Sequence, residues 1–428
     1  MTRLRRSMHG TFRSLRVRNY RLYFTSQLIS VSGTWMQTVA QAFLVLHLAP
    51  PGRSGIALGV VTALQFLPML LFGTWGGLVA DRVDKRRLLY GTQSAAGVLA
   101  LTLGLLTATG TVRLWQVFLL ATLLGFVNMI DNPARQTFVL ELVGRNDLPN
   151  AVSLNSVVMN SARVIGPAIG GALIAAVGLA VCFEVNAASY VAVIVGLSLM
   201  SRRELHATAP VPRAKGQLRE GLRYVWRTPG LRQPLVLVAV VGTLAYNFQV
   251  VLALLAHFTF HGGAGVYSAL TSVMGAGAVA GGLIIATRNR PTVHRLTAIG
   301  VLFGCLILGV ALSPGLAAAL VVIFPMGAAS IAFIATANAT LQLRADPSMR
   351  GRVMALYAIA FLGTTPIGGP LVGWISQAAS PRVALAVGGT ATVAASLVTR
   401  RRHRRENLRR VPPPLVEEAE PGSELGVA

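Results

Sequence analysis

Apolar residues in this chain come in runs of about twenty, longer than the alternation of a half-buried strand or the narrow stripe of a surface helix. A bilayer core requires about 20 apolar residues per helix. On that basis twelve spans are predicted, near 22–47, 55–80, 88–109, 113–131, 150–176, 179–200, 233–259, 265–287, 294–312, 315–337, 351–377 and 382–399. They are called spans 1 to 12. The expected fold is an all-α integral membrane protein with two pseudo-symmetric six-helix bundles. It divides into a basic arm (1–21), a first half (22–200), a linker rich in arginine and proline (201–232), a second half (233–399) and a tail (400–428). The end of the tail, with prolines at 412–414 and acids within 417–420, is expected to be disordered.

Internal repetition supports two halves. Gly166-Pro167, followed by Gly170 and Gly171 in span 5, has a counterpart 203 residues later in Gly369-Pro370 and Gly373 of span 11. Gly76-Gly77-Leu78 in span 2 returns 205 residues later as Gly281-Gly282-Leu283 in span 8. Parallel repeats of this kind are a transporter architecture, with substrate bound near mid-depth between them.

Charge changes the picture through its position. The net charge of +24 would suit nucleic acid if the arginines lined one soluble face. With the amino terminus in the cytoplasm, however, 34 of the 38 lysines and arginines fall in cytoplasmic segments. Only Arg53, Arg113 and Arg382 lie outside, and Arg163 lies within span 5. That asymmetry is the positive-inside signature, so both termini are expected in the cytoplasm and nucleic acid is excluded as a partner. The arm's Arg5-Arg6 pair lacks the closely following apolar stretch of a twin-arginine signal, and the arm is read as retained. Cys182 and Cys305 sit in separate apolar runs and read as packing residues, not a disulfide or metal pair.

Gly77-x-x-x-Asp81-Arg82-x-x-Lys85-Arg86 between spans 2 and 3 resembles the most widespread motif of the major facilitator superfamily. Asp84 stands where that motif usually has a second glycine, and an aspartate can still adopt a left-handed turn at modest cost. Asn19-Tyr20-Arg21-Leu22, Gly33-Thr34-Trp35-Met36-Gln37 and Asp131-Asn132-Pro133-Ala134-Arg135-Gln136 resemble the branch of enterobactin-type siderophore exporters and macrolide efflux pumps. Ala162-x-x-x-Gly166-Pro167-x-x-Gly170-Gly171 is similar to the superfamily's antiporter motif, with alanine for its first glycine. Span 4 lacks the intramembrane arginine of many proton-coupled drug antiporters. The resemblance covers residues 12 to about 400 and implies alternating-access transport.

Asp81 with Arg82 and Arg86 reads as a cytoplasmic latch, a carboxylate able to cap a helix start while arginines clamp it. The resemblance places this loop against the start of span 11, here Gly351 and Arg352. The bland alternative is that these charges simply obey the positive-inside rule. The glycines and prolines Gly166, Pro167, Gly170, Gly171, Gly369, Pro370 and Gly373 permit close packing and bending of spans 5 and 11, with spans 2, 5, 8 and 11 as the contact between halves. Acids at depth are restricted to Asp131 and Glu184, the candidates for proton coupling. Asp131 has Arg135 as an alternative structural partner, and Glu184 could snorkel or pair with Arg163. Arg163, the basic residue at depth, either attracts an anionic substrate or is paired structurally. By the resemblance, spans 1, 4, 7 and 10 line the cavity, making Gln37, Gln41, Asn128, Tyr246, Asn247, Gln249 and Asn338 candidates, with Gln65 from span 2. Any of them could instead be an interhelical hydrogen bond.

No P-loop, metal-ligand cluster or nucleophile elbow occurs, so neither an enzyme nor a cofactor or metal site is expected. The expectation is a monomeric, multi-pass bacterial inner-membrane protein that exports a small amphipathic organic molecule by proton antiport. Uptake or facilitated diffusion is one alternative. A transport-dead sensor or scaffold is another.

Overall fold

The computed structural model describes residues 13–206, 217–287 and 291–409. Span 1 is Arg18–Leu48, span 2 Ser54–Arg82, span 3 Lys85–Ala108 and span 6 Leu179–Leu199. Spans 4 and 5 share one assigned helix, Leu114–Val177, which turns at Gly144, where φ is 70°. A left-handed backbone there costs a residue with a Cβ about 1–2 kcal/mol, so glycine is the residue that permits the turn. After a linker helix, Gln217–Arg227, span 7 is built from Pro229–Leu244, Phe248–Leu254 and a wide turn at Leu255–Thr259. Spans 8, 9 and 10 are Ala264–Thr287, Val293–Ala311 and Leu316–Arg344. Span 11 is Arg350–Phe361 followed by Thr365–Ala378, and span 12 is Pro381–Arg409. Among the described residues eleven stretches are long and apolar enough to cross a bilayer, and the 64-residue one crosses twice, which gives twelve crossings.

The two halves repeat the same packing. Span 2 meets span 4 where a Cβ on Gly76 would strike Met129, and span 8 meets span 10 where one on Gly281 would strike Ala328. Gly166 of span 5 abuts Trp35 of span 1, as Gly368 of span 11 abuts Asn247 of span 7. Gly104 of span 3 lies on Phe183 of span 6, as Gly304 of span 9 lies on Val393 of span 12. Lipid gives apolar helices no reason to associate by burial alone, so close backbone approach at small residues carries the packing. The outer surface is correspondingly apolar, with Leu312 and Val321 about three-quarters exposed (78% and 74%).

Between halves, span 2 packs on Thr365–Ala378 of span 11, and span 5 on span 8. The end carrying Arg18 and Arg405 is the terminal end and the other the distal end. At the distal end the backbone amide of Gly55 donates to Oε1 of Gln377 at 3.0 Å, and Gly171 faces Ser268. Gly59 lies against Gly369 and Pro370. Near mid-depth, Ser272 donates to the carbonyl of Val164 at 3.0 Å, Gly275 lies on the backbone of Arg163, and Leu70 lies on Gly363. The described hydrogen bonds and glycine contacts between halves therefore run from the distal end to mid-depth.

Several local expectations change. The stretch between spans 4 and 5 is helical on both sides of Gly144, because its residues pack as helix on span 1 and span 3. Asp84 is not left-handed: with φ −51° it caps span 3, its carboxylate accepting from the amide of Arg87 at 2.8 Å. Span 11 is interrupted at 362–364, ahead of Pro366 and Pro370, so its break precedes the proline expected to bend it. The linker contains a helix, and the helix of span 12 runs ten residues into the segment read as tail, to Arg409. The acidic, proline-rich end of the tail lies outside the described residues.

Candidate functional site

Asp131 and Arg135 are one turn apart on the same helical face of span 4 and form an ion pair. The Asp131 carboxylate is 1% exposed and also accepts from Oγ1 of Thr92 and Nε2 of Gln93, both at 2.7 Å, on span 3. Arg135 reaches span 1 through Oε1 of Gln27 at 2.7 Å. Spans 1, 3 and 4 are thus tied by a polar network inside the first half. The predicted end of span 4 at residue 131 puts Arg135 in the loop that follows. The helix instead runs on past residue 131, which puts Arg135 one turn beyond Asp131 on span 4, towards the terminal end.

The 2–3 loop residues are fixed largely within the first half. Nζ of Lys85 meets Glu141 at 2.6 Å, and Arg86, 8% exposed, donates to the carbonyl of Ser198 at 3.2 Å and lies 6.0 Å from the Tyr90 ring. Gly77 is buried, Asp81 half-buried in the last turn of span 2 and Arg82 exposed. Gly351 is exposed with open space where a Cβ would stand, and Arg352 pairs with Glu220 of the linker helix at 2.5 Å. The segment Arg350–Phe361 packs on the linker helix and on spans 7 and 10.

Glu184, near the distal end of span 6, is half-buried against Gly104 of span 3 and makes no hydrogen bond or ion pair among the described residues. Arg163 does not pair with it. The Arg163 guanidinium lies 5.1 Å from the centre of the Trp35 ring, and its Nε is buried without a hydrogen-bond partner. Across the junction of the halves it comes within electrostatic reach of Tyr246, which lies in the break of span 7 and contacts Ser330 of span 10. The Tyr246 ring packs edge-on to Phe361 at 4.8 Å and Phe248 at 5.2 Å, and Phe361 stacks on Tyr357 at 6.1 Å. Tyr357 in turn reaches Asn338.

The remaining cavity candidates separate. Gln37 accepts from Nδ2 of Asn186 on span 6 at 2.5 Å and is 7% exposed, so it ties spans 1 and 6. Nε2 of Gln65 donates to Gln41 at 3.2 Å, a link between spans 1 and 2. Asn247 is buried and bonds back to the carbonyl of Thr243 at 2.8 Å, filling the break in span 7 against Gly368 of span 11. Asn128 and Gln249 are half-buried, and the Gln249 carbonyl accepts from Tyr267 at 3.3 Å. Asn338 accepts from Gln342 one turn on, at 2.8 Å. At the distal end a separate cavity of about 750 Å³ is lined by Phe43, His47 and Ile174 of the first half and His257, Phe258 and His261 of the second.

Sequence reasoning did not single out Trp35 as a partner of Arg163, nor Tyr357 and Phe361, because span 11 was assigned to packing. The spacing of Tyr357 and Phe361, four apart on one helical face, is the signal that could have found them. Gly55 and Gly59, the span 2 glycines that meet span 11, were also passed over, although they too are four apart.

Two six-helix bundles related by a parallel repeat, meeting along spans 2 with 11 and 5 with 8, define a transporter of the major facilitator type. The chain belongs to the transmembrane secretion effector family, whose model matches residues 9–418. It is 31% identical to the staphyloferrin A transporter of Staphylococcus aureus over 179 residues, 41% of this chain and only 44% of that protein's length. It is 27% identical to the multidrug efflux pump Tap of Mycolicibacterium fortuitum over 373 residues, covering 84% and 89%. Among solved structures it resembles the nucleoside transporter NupG with a TM-score of 0.69 at 13% identity, over 91% of this chain and 99% of that one. The last likeness concerns the fold. The protein is a multi-pass membrane transporter and not an enzyme.

Proposed function

We propose that the protein is an alternating-access exporter of a small amphipathic organic molecule, driven by proton antiport across a bacterial inner membrane, with both termini in the cytoplasm. The observation that carries the reading is the mid-depth junction of the halves, to which the first half brings Arg163 over Trp35 and the second half the aromatic pair Tyr246 and Phe361. A polar, weakly charged, aromatic-lined site suits an organic amphiphile better than a phosphorylated one, which would call for several arginines. Export, not uptake, is favoured by the antiporter-like glycine pattern of span 5 and by the efflux activity named for Tap, a relative over most of the chain. On the proton side, Asp131 would take up a proton as it releases Arg135, and Glu184 has no hydrogen bond or ion pair among the described residues. The Asp81 loop would latch the cytoplasmic side when the start of span 11 swings towards it.

Everted vesicles containing the protein test this directly. An imposed inward-acid gradient is expected to drive accumulation of a fluorescent amphiphile, and dissipating the gradient is expected to abolish it. Accumulation unaffected by the gradient, or driven in the opposite sense, would replace export with facilitated diffusion or uptake.

A further inference from the structure

We propose that Arg163 is the substrate anchor and that it selects a monoanionic carboxylate carried on an aromatic or similarly flat apolar body; this rests on the transporter reading above and names its substrate class. The chain contains one basic residue at the middle of a span, and its position is set by the junction itself. Gly275 of span 8 lies on its backbone, and the next carbonyl, that of Val164, accepts from Ser272 at 3.0 Å. Among the described residues Arg163 has no ion pair and no hydrogen bond; Asp131 is engaged with Arg135, and Glu184 stands near the distal end of span 6 against Gly104. A cation held at depth without a counter-ion is unfavourable, and intramembrane charges of this kind normally face a partner or a pathway. The missing partner is supplied most simply by the ligand.

Geometry narrows the ligand further. Trp35 covers the guanidinium at 5.1 Å, which satisfies one direction by cation–π attraction and shields the charge from lipid. A planar guanidinium then offers its N–H fork to a single planar acceptor, and carboxylate geometry matches that fork. Phosphate or a polyanion would leave charge uncompensated, since the other arginine set deep in a span, Arg135, is already paired with Asp131. Across the junction, on the opposite half, Tyr246 and Phe361 pack with ring centres 4.8 Å apart, and Phe361 stacks on Tyr357. They form an apolar platform for the body of the substrate. Because anchor and platform belong to different halves, a molecule that spans them is held only while the halves are suitably placed, so binding and rocking are linked.

The test uses the full chain in detergent, with 2-naphthoate and its neutral isostere 2-naphthamide as probes of binding. The wild-type protein is expected to bind the acid at least tenfold more tightly than the amide, about 1.4 kcal/mol. In Arg163→Gln that ratio is expected to collapse to within about twofold through loss of acid affinity alone, and Arg163→Lys to retain an intermediate preference. Equal affinities in the wild type, or an undiminished ratio in Arg163→Gln, overturns the proposal. If Arg163→Gln does not survive extraction, Arg163→Lys and the wild-type ratio decide. Failure here is separable from failure of the export reading. A protein that exports an amphiphile on a proton gradient but does not distinguish the probes lacks the anchor, and one that distinguishes them without proton-driven movement is not an antiporter.

Discussion

A buried carboxylate at 1% exposure is tolerable at Asp131 because Arg135, Thr92 and Gln93 all face it. Removing one charge of such a pair leaves the other uncompensated, which costs about 3–5 kcal/mol, whereas removing both costs much less. Asp131→Asn is therefore expected to lower thermal stability strongly, and the double substitution Asp131→Asn with Arg135→Gln to recover a large part of it. A double-mutant cycle on melting midpoints reads this, and strictly additive losses would show that the pair is not coupled. Glu184→Gln removes no partner and is expected to change stability by less than about 0.5 kcal/mol. If Glu184 carries the proton, the same variant abolishes the pH dependence of vesicle transport. An unchanged pH profile excludes it. At this scale the sequence made the residues legible but not their partners: Asp131 and Arg135 are four apart in the chain, yet Thr92, Gln93 and Gln27 join them only because spans 1, 3 and 4 pack together.

Helix against helix, the decisive contacts are glycines. A methyl group at Gly59 would stand 2.5 Å from the carbonyl oxygen of Gly369 and 2.7 Å from Cα of Pro370, and neither backbone atom can move aside cheaply. Overpacking of this sort costs about 1–3 kcal/mol, and here the cost is borne only while the distal ends are together. Gly59→Ala is expected to shift the population towards separated distal ends, seen as longer spin-label distances between spans 2 and 11 on the distal side. Gly73→Ala, whose new Cβ would find only Met69 of its own helix at 3.8 Å, is the control that should leave the distances unchanged. Unaltered distances in both variants would remove the steric account of distal closure. The 3.6-residue period and the apolar runs revealed the helices themselves. They could not distinguish Gly59 from Gly73, because the same residue faces a partner backbone in one register and open space in the other.

For the whole molecule, orientation is the property to establish first. Cysteine introduced at Arg382 in a Cys182→Ala, Cys305→Ser background is expected to react with an impermeant maleimide from outside intact cells. Cysteine at Ser201 is expected to react only after permeabilisation. The reverse pattern would invert the topology and with it the direction assigned to transport. The charge distribution that motivates the expectation is a property of the chain as written, because positive residues resist translocation wherever the helices later settle.

The sequence by itself determined the number of crossings, their order, the side preferred by the basic loops and the two-fold repetition. Each of these depends on composition over windows of ten to twenty residues, and lipid enforces that composition before any helix meets another. Tertiary structure alone decided which polar groups are mutually satisfied and which remain open. Gln37 was claimed by Asn186, Asp131 by its network, and Arg163 was left over Trp35. Those outcomes depend on the rotation and depth of helices that lie from 38 to 149 residues apart in sequence, set by close backbone packing that no local pattern encodes.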